Sequence, residues 1–187
     1  MSQFLFGHSA AGVFNGEIDE LIAGGAIVAN TRTAIARSGI GIAVRRGATK
    51  PDLRTVDALK TALVSAQSIA FANEGAGGLF FITLVKRMGL AEQLEAKFRP
   101  TVTGADVSRA VASGSAELGV QPISEILFVP GVELAGSFPA AVQDYSVMVA
   151  GISTASTQAD AARALIAFLM SSAADPVLEA RGMERVR

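Results

Sequence analysis

Cysteine is absent from the 187 residues, which removes disulfides, thiolate catalysis and most structural zinc sites. Histidine is almost as scarce. His8 stands alone near one end, and a single imidazole builds neither a histidine-rich metal site nor a histidine-based triad. An excess of one charge is also lacking. The net charge is −1 and only 18% of residues are charged, so there is no electrostatic footprint for nucleic acid. Any bound anion must be held by local dipoles or a few placed side chains. No hydrophobic run approaches the roughly 20 residues that span a bilayer. Met1 to Gly7 has neither the basic nor the apolar region of a secretory signal. The chain reads as not membrane-embedded, and as cytoplasmic if complete as written. Nothing calls for a cofactor.

Half of the residues are hydrophobic, enough for a substantial core in one domain or in two small lobes sharing a sheet. The most informative stretch is Ser68 to Leu79. A short apolar run, Ser68 to Ala72, reads as a buried strand. It stops at Asn73-Glu74, passes the turn Gly75-Ala76-Gly77-Gly78, and enters a helix over 79–88. A strand feeding a glycine turn and then a helix start leaves backbone N–H groups unpaired, and these together with the helix dipole favour an anion. There is no Lys-Ser/Thr for a P-loop, and the spacing is not the dinucleotide fingerprint. A turn that merely lets helix and strand pack closely is the structural alternative.

Along the chain, Phe4 to Phe6 reads as a short strand and Glu17 to Ala23 as an amphipathic helix closed by Gly24-Gly25. Thr33 to Val44 reads as one long strand, with Gly39 and Gly41 marking a bend or close backbone approach. Arg45 to Pro51 is a polar connection and the candidate lobe boundary. Thr55 is a plausible N-cap for a helix over 56–64. Further helices are expected over 91–97, 104–113 and 122–127, the last with Pro122 at its first position, and strands over 98–101, 118–121 and 132–135. Tyr145 to Ile152 reads as a second long strand. A helix follows from Thr157, with Ala161, Leu165 and Phe168-Leu169 as its apolar face, and a last one spans 171–180. This alternation indicates α/β with mostly parallel sheet.

Five of these pieces, in order, resemble a known pattern: the strand Ile35 to Val44, the turn Asn73 to Gly78, the helix–strand pair from Gly104 to Pro122, the strand Tyr145 to Gly151, and the helix Ala161 to Leu169 with Ser171 to Ala174. Together they are similar to substrate-binding proteins of ABC importers, in the branch of periplasmic molybdate-binding proteins, over residues 17–185. The resemblance implies a type II periplasmic-binding fold: two α/β lobes, a hinge of crossing strands, and a ligand between the lobes. On that map residues 1–46 and 143–187 form the first lobe and 47–142 the second. The family's chains begin with a signal peptide and about two βα units that this chain lacks, so the first lobe is expected to be incomplete. A parallel sheet without those strands exposes edges and an apolar face, and a strand- or helix-exchanging homodimer is the expected compensation.

In that branch an oxyanion is held by neutral donors, because fixed dipoles replace its hydration shell without a buried counter-charge. The positions that match are Ala76 and Gly77 as backbone donors in the glycine turn, Asp106 and Val107 as a second pair, and Tyr145 as hydroxyl donor. Ser9 is too poorly anchored to stand for the family's first-lobe serines. Blander roles are open to each: a first-turn acid for Asp106, core for Val107, a surface hydroxyl for Tyr145. Gln121 either lines a cleft or satisfies local backbone, and Arg45-Arg46 either steers anions or is a solvated pair. The resemblance implies a non-enzymatic solute-binding protein for a small anion or solute, periplasmic, and served by an ABC permease if exported. The alternative is an intracellular ligand-sensing or interaction module with the same fold. An enzyme would need an arrangement such as Glu117 paired with Glu125, and these read better as solvated strand ends.

Overall fold

The computed structural model describes residues 11–14 and 18–186. The expected strand at Phe4 to Phe6, His8 and Ser9 lie outside them. In chain order the elements are β1 (Ala11–Phe14), α1 (Ile18–Ala23), β2 (Thr33–Arg45), α2 (Val56–Ser65), β3 (Ile69–Ala72), α3 (Ala76–Arg87), α4 (Ala91–Leu94), β4 (Phe98–Thr101), α5 (Gly104–Ser113), β5 (Leu118–Pro122), α6 (Ile123–Ile126), β6 (Val132–Ser137), β7 (Tyr145–Ile152), α7 (Ala159–Leu169), α8 (Asp175–Ala180) and β8 (Glu184–Arg185). The chain forms two compact units, residues 38–146 and residues 1–37 with 147–187.

The 38–146 unit is built on β3, which pairs in parallel with β4 on one side and β5 on the other. All four residues of β3 are buried, as expected of a strand covered on both faces. On one face lie Leu59 and Leu63 of α2 and Phe81, Leu84 and Val85 of α3, packed with Ile69 and Phe71. Phe71, Phe81 and Phe98 meet there with ring centroids 5.3–5.9 Å apart. On the other face Val107 and Val111 of α5 pack on Ala70, Ala72, Ala116 and Val132. Gly119 permits that approach: a Cβ on it would lie 2.9 Å from both valines. The Thr55 hydroxyl caps α2 by accepting from the Ala58 N–H at 3.1 Å.

The sheet is less parallel than the alternation suggests. β2 runs antiparallel to β5, β6 and β8, and β1 runs antiparallel to β7. The parallel pairs β3–β4 and β3–β5 follow from helical crossovers, α3 leading from β3 to β4 and α5 from β4 to β5 on the far side of β3, as parallel pairing requires.

In the other unit, α1 buries Ile18 against Ile27 and Val149. Gly151 makes room, since a Cβ there would sit 2.7 Å from Ile27 and 2.9 Å from Ile18. Ile35, Ala36, Ala150, Ala174 and Leu178 form a second small core. Arg185 grips the Asp175 carboxylate with two bonds of 2.8 and 3.0 Å. The inward face of α7 differs from expectation. Ala162 is buried, with Ile166, Leu169 and Met170 packed on that core, whereas Ala161, Leu165 and Phe168 face solvent. α7 is apolar nearly all round, so period alone could not choose between its two stripes. No single helix among the described residues is long and apolar enough to cross a membrane.

Candidate functional site

Within the 38–146 unit, β3 and β5 end at the same edge of the parallel core, and α3 and α5 begin there. Such edges are where open α/β sheets receive ligands. Helix α3 starts three residues earlier than expected, at Ala76, with Gly75 as N-cap and no side-chain cap bond. The glycines are therefore the first turn of the helix rather than a loop before it. Their small size is required by packing. A Cβ on Gly78 would lie 1.9 Å from the Ala72 carbonyl oxygen, and one on Gly77 would lie 3.1 Å from Pro122 Cδ and 3.4 Å from Gln121 Cα.

The Gly75 carbonyl accepts from the N–H groups of Gly78 and Leu79, each at 3.0 Å. Ala76 and Gly77, the first two helical residues, have no intrahelical acceptor, and the Gly77 N–H finds none elsewhere among the described residues. Those are the two positions at which the sequence places backbone donors.

The start of α5 is finished differently. Thr103 and Asp106 form a capping box. The Thr103 hydroxyl accepts from the Asp106 N–H at 3.2 Å, and the Asp106 carboxylate accepts from the Thr103 N–H at 3.1 Å and the Thr103 hydroxyl at 2.7 Å. Arg109 also bonds that carboxylate. The Thr103 hydroxyl, then Arg109, hold the Asp106 carboxyl below the usual carboxylate range. The Thr103 carbonyl takes the N–H groups of Asp106 and Val107, at 3.0 and 3.2 Å. The expected donors Asp106 and Val107 are thus already engaged, and the Val107 side chain is wholly buried in the core. The N–H groups without partners among the described residues at this start belong to Gly104 and Ala105. The unpaired N–H groups at this start lie two residues before the positions that sequence matching indicates, because the Thr103 hydroxyl takes the Asp106 N–H and the Thr103 carbonyl takes that of Val107.

Gln121 lies against both helix starts. Its Cα faces Gly77, and its side-chain oxygen Oε1 is 3.8 Å from where a Gly104 Cβ would be. The side chain is 2% exposed. Its Nε2 donates to Ser108 Oγ at 2.8 Å, while Oε1 is buried without a hydrogen-bond partner among the described residues. Glu125, one short turn beyond on α6, reaches back so that its Oε2 occupies the space over Gly104, 2.0 Å from that Cβ position. The residue as a whole is exposed, but partial loss of hydration at its carboxyl end raises the proton affinity.

Glu117 belongs to the opposite end of β5, where it accepts from the Gln67 N–H at 2.7 Å. The pairing of Glu117 with Glu125 that an enzyme reading asked for is therefore ruled out by the length of β5. Tyr145 opens β7, 40% exposed, and is not among the nearest neighbours of either helix start. Arg45 and Arg46 are exposed. Among the described residues no group of three or more His, Cys, Asp or Glu is placed to hold a metal ion. Sequence reading singled out Gln121 but gave no role at the α5 start to Glu125. Its only signal was the four-residue spacing from Gln121 across Pro122, which turns the chain back over the strand end.

Comparison with known proteins gives three kinds of likeness. Residues 15–184 match the family described as bacterial extracellular solute-binding protein. A protein named aconitate isomerase, from Pseudomonas sp., is 35% identical over 169 residues, covering 90% of this chain and 64% of that protein. The chain thus spans somewhat under two thirds of that relative's length. Among solved structures, the substrate-binding domain described as that of a molybdenum ABC transporter from Clostridium difficile superposes with a TM-score of 0.78 at 15% identity, covering 97% of this chain and 79% of that one. The periplasmic molybdate-binding protein of Azotobacter vinelandii gives 0.75 at 18% identity, covering 97% and 80%. At such identities the likeness establishes the fold, the α/β type II periplasmic-binding architecture expected from the sequence.

Proposed function

The chain belongs to the bacterial extracellular solute-binding proteins, and from that premise we propose that its 38–146 unit binds a small oxyanion at the paired starts of α3 and α5. The observation that carries the reading is the set of N–H groups of Ala76, Gly77, Gly104 and Ala105, two from each helix, placed on either side of Gln121. Helix starts with free N–H groups and a favourable dipole hold anions without a counter-charge. Asp106 supports the arrangement by fixing the α5 start, and Val107 by anchoring it in the core. The Tyr145 hydroxyl is proposed as a further donor, reached when ligand is present. By family, the bound solute would be passed to an ABC permease from the periplasm. A strand- or helix-exchanging homodimer is proposed as well, with the exposed Leu165 and Phe168 of α7 as apolar surface left to cover, and a monomeric mass in light scattering at micromolar concentration excludes it.

The test is a thermal melt of the chain with molybdate, tungstate, sulfate, phosphate and small carboxylates, each titrated to millimolar. A ligand present at about 100 times its dissociation constant adds ~2.7 kcal/mol, a readily measured rise in Tm. A rise with at least one anion is expected, and no rise with any of them overturns the reading.

A second reading is favoured by the relative named aconitate isomerase. An isomerase acting on an unsaturated carboxylate needs a group that takes and returns a proton, and Glu125, with its raised proton affinity beside Gly104, is the carboxyl in position. Incubation with cis- and trans-aconitate, followed by chromatography, separates the two readings. Conversion that disappears in Glu125→Gln would make the chain an enzyme, and binding without conversion keeps it a solute-binding protein.

A further inference from the structure

The oxyanion reading leaves one feature unused: the buried side-chain oxygen of Gln121. A carbonyl oxygen without a partner in a dry site is destabilising, and native structures rarely leave one unsatisfied. Its orientation is fixed from the other end, because Nε2 donates to the Ser108 hydroxyl at 2.8 Å and Ser108 is itself 1% exposed. Oε1 is thereby turned toward Gly104, where the N–H groups of Gly104 and Ala105 are unpaired. One small volume thus offers donors from the helix backbone and an acceptor from Gln121.

We propose that this site selects oxyanions carrying a hydrogen-bond donor beside the charge, hydroxycarboxylates above all, over anions that can only accept. The proposal rests on the oxyanion reading and narrows it. A carboxylate oxygen takes the backbone donors at the α5 start, and a hydroxyl on the adjoining carbon donates to Gln121 Oε1. Fully deprotonated tetrahedral anions such as molybdate and sulfate have nothing to give that oxygen, and bind with it desolvated and unpaired. The nearby charges act in the same direction. The Glu125 carboxyl lies over Gly104, Glu74 directly precedes the α3 cap, and Asp106 is engaged with Thr103 and Arg109. These carboxylates repel every anion in common, and a hydroxyl that donates toward an acceptor offsets part of that repulsion, an offset that an accept-only anion lacks. Sites that hydrogen-bond a ligand hydroxyl reject the analogue without it strongly, because their own buried group is then left unpaired.

Pairs of ligands differing by one hydroxyl test this in the full chain by isothermal titration calorimetry at pH 7: malate against succinate, and citrate against tricarballylate. The expected result is that the hydroxylated member of at least one pair binds tenfold or more tightly than its partner. Sulfate and molybdate should bind more weakly than that hydroxylated member. The Gln121→Met variant, of similar volume, should bring the ratio within a pair close to one. Because that variant also removes the bond to Ser108, the wild-type ratio is the primary reading and does not depend on how the variant folds. Equal binding within both pairs, or molybdate bound more tightly than any hydroxycarboxylate, overturns the selectivity while leaving the oxyanion reading intact. Absence of binding by every anion in both this panel and the thermal melt overturns the two together.

Discussion

At the start of α5 the backbone is closed by side chains, Thr103 and Asp106 each satisfying an N–H of the other. At the start of α3 no side chain performs that task, and glycines occupy the positions instead. The first helix end is held by local hydrogen bonds that would form in an isolated segment, since a capping box needs only the residues beside it. The second is held by tertiary packing, with Gly78 pressed on the Ala72 carbonyl and Gly77 on Pro122 and Gln121. Two helix starts at one strand edge thus reach similar places by different means. The capped end gives its third donor to the Thr103 hydroxyl, and the glycine end gives its third, that of Gly78, to the Gly75 carbonyl. Each leaves its first two without an intrahelical acceptor.

The contrast is broken most sharply by making the same substitution at each end. Gly78→Ala would set a methyl 1.9 Å from backbone that cannot give way. A loss of about 3 kcal/mol or more is expected from such overpacking, read as a fall in the denaturant midpoint. Gly104→Ala meets only the flexible end of Glu125, which can swing aside. Its expected cost in the same titration is small, and equal losses at both positions would show that the two ends do not differ in the way described. Next in size is Thr103→Ala, which removes the cap at α5 and should cost about 1 kcal/mol, with Thr103→Ser close to wild type. That loss is tied to pH. The Asp106 carboxyl is held below its ordinary value, so its contribution is present above the ordinary aspartate pKa and is lost as pH falls through the lowered one. The gap between wild type and Thr103→Ala should narrow on acidification over that range.

The same contrast explains what could be read from the chain. Capped helices are legible because the signal is local: Thr55 and Thr103 each precede a helix by one residue, and Gly89 and Gly114, at φ 71 and 81°, close α3 and α5 where the sequence stops them. Sequence alone places the start of α3 three residues late because glycine has poor helix propensity, and only contact with Ala72, Gln121 and Pro122 shows why glycine is needed. Sequence matching points to Asp106 and Val107 at the α5 start and carries no account of which N–H groups the first turn itself engages, here both of those. The inward face of α7 could not be chosen from eleven nearly all-apolar residues. Gln121 and Glu125 became a pair only through the return of α6 over the strand end, a tertiary relation. The parallel β3–β4–β5 core was legible from its alternation with helices, whereas the antiparallel strands around β2 were not.

A smaller effect sharpens the comparison from the α6 side. Desolvation raises the Glu125 carboxyl in the folded chain, so the folded state binds the proton more readily than the unfolded one. Stability therefore declines as pH rises from the ordinary glutamate pKa through the raised value. Glu125→Gln should be more stable than wild type at neutral pH, and the advantage should fade below about pH 4, where both folded and unfolded carboxyls are protonated. Thermal melts at pH 4 and 7 decide it. A wild type that equals or exceeds Glu125→Gln at pH 7 would mean that the α5 start stabilises the carboxylate after all.

The smallest expected change in stability carries the most information about function. Gly75 is the N-cap of α3 with φ −81° and ψ 145°, a conformation open to any residue, so Gly75→Ser can place a hydroxyl where Thr103 has one. Glycine is already a tolerable cap, and serine improves on it by only a few tenths of a kcal/mol. A Cβ at this position lies 3.2 Å from the Ala72 methyl, which takes back part of the gain. The cost to binding is a different matter. An N-cap hydroxyl accepts the N–H of the second or third helical residue. The third, Gly78, is already bonded to the Gly75 carbonyl, so the new hydroxyl is expected to take that of Gly77, and a donor so engaged is no longer offered to an anion. Stability close to wild type combined with anion affinity reduced severalfold is the expected pair of results, by denaturant titration and calorimetry. Unchanged affinity would mean that the uncapped state of α3 is a packing solution alone, and that the anion is held from the α5 side.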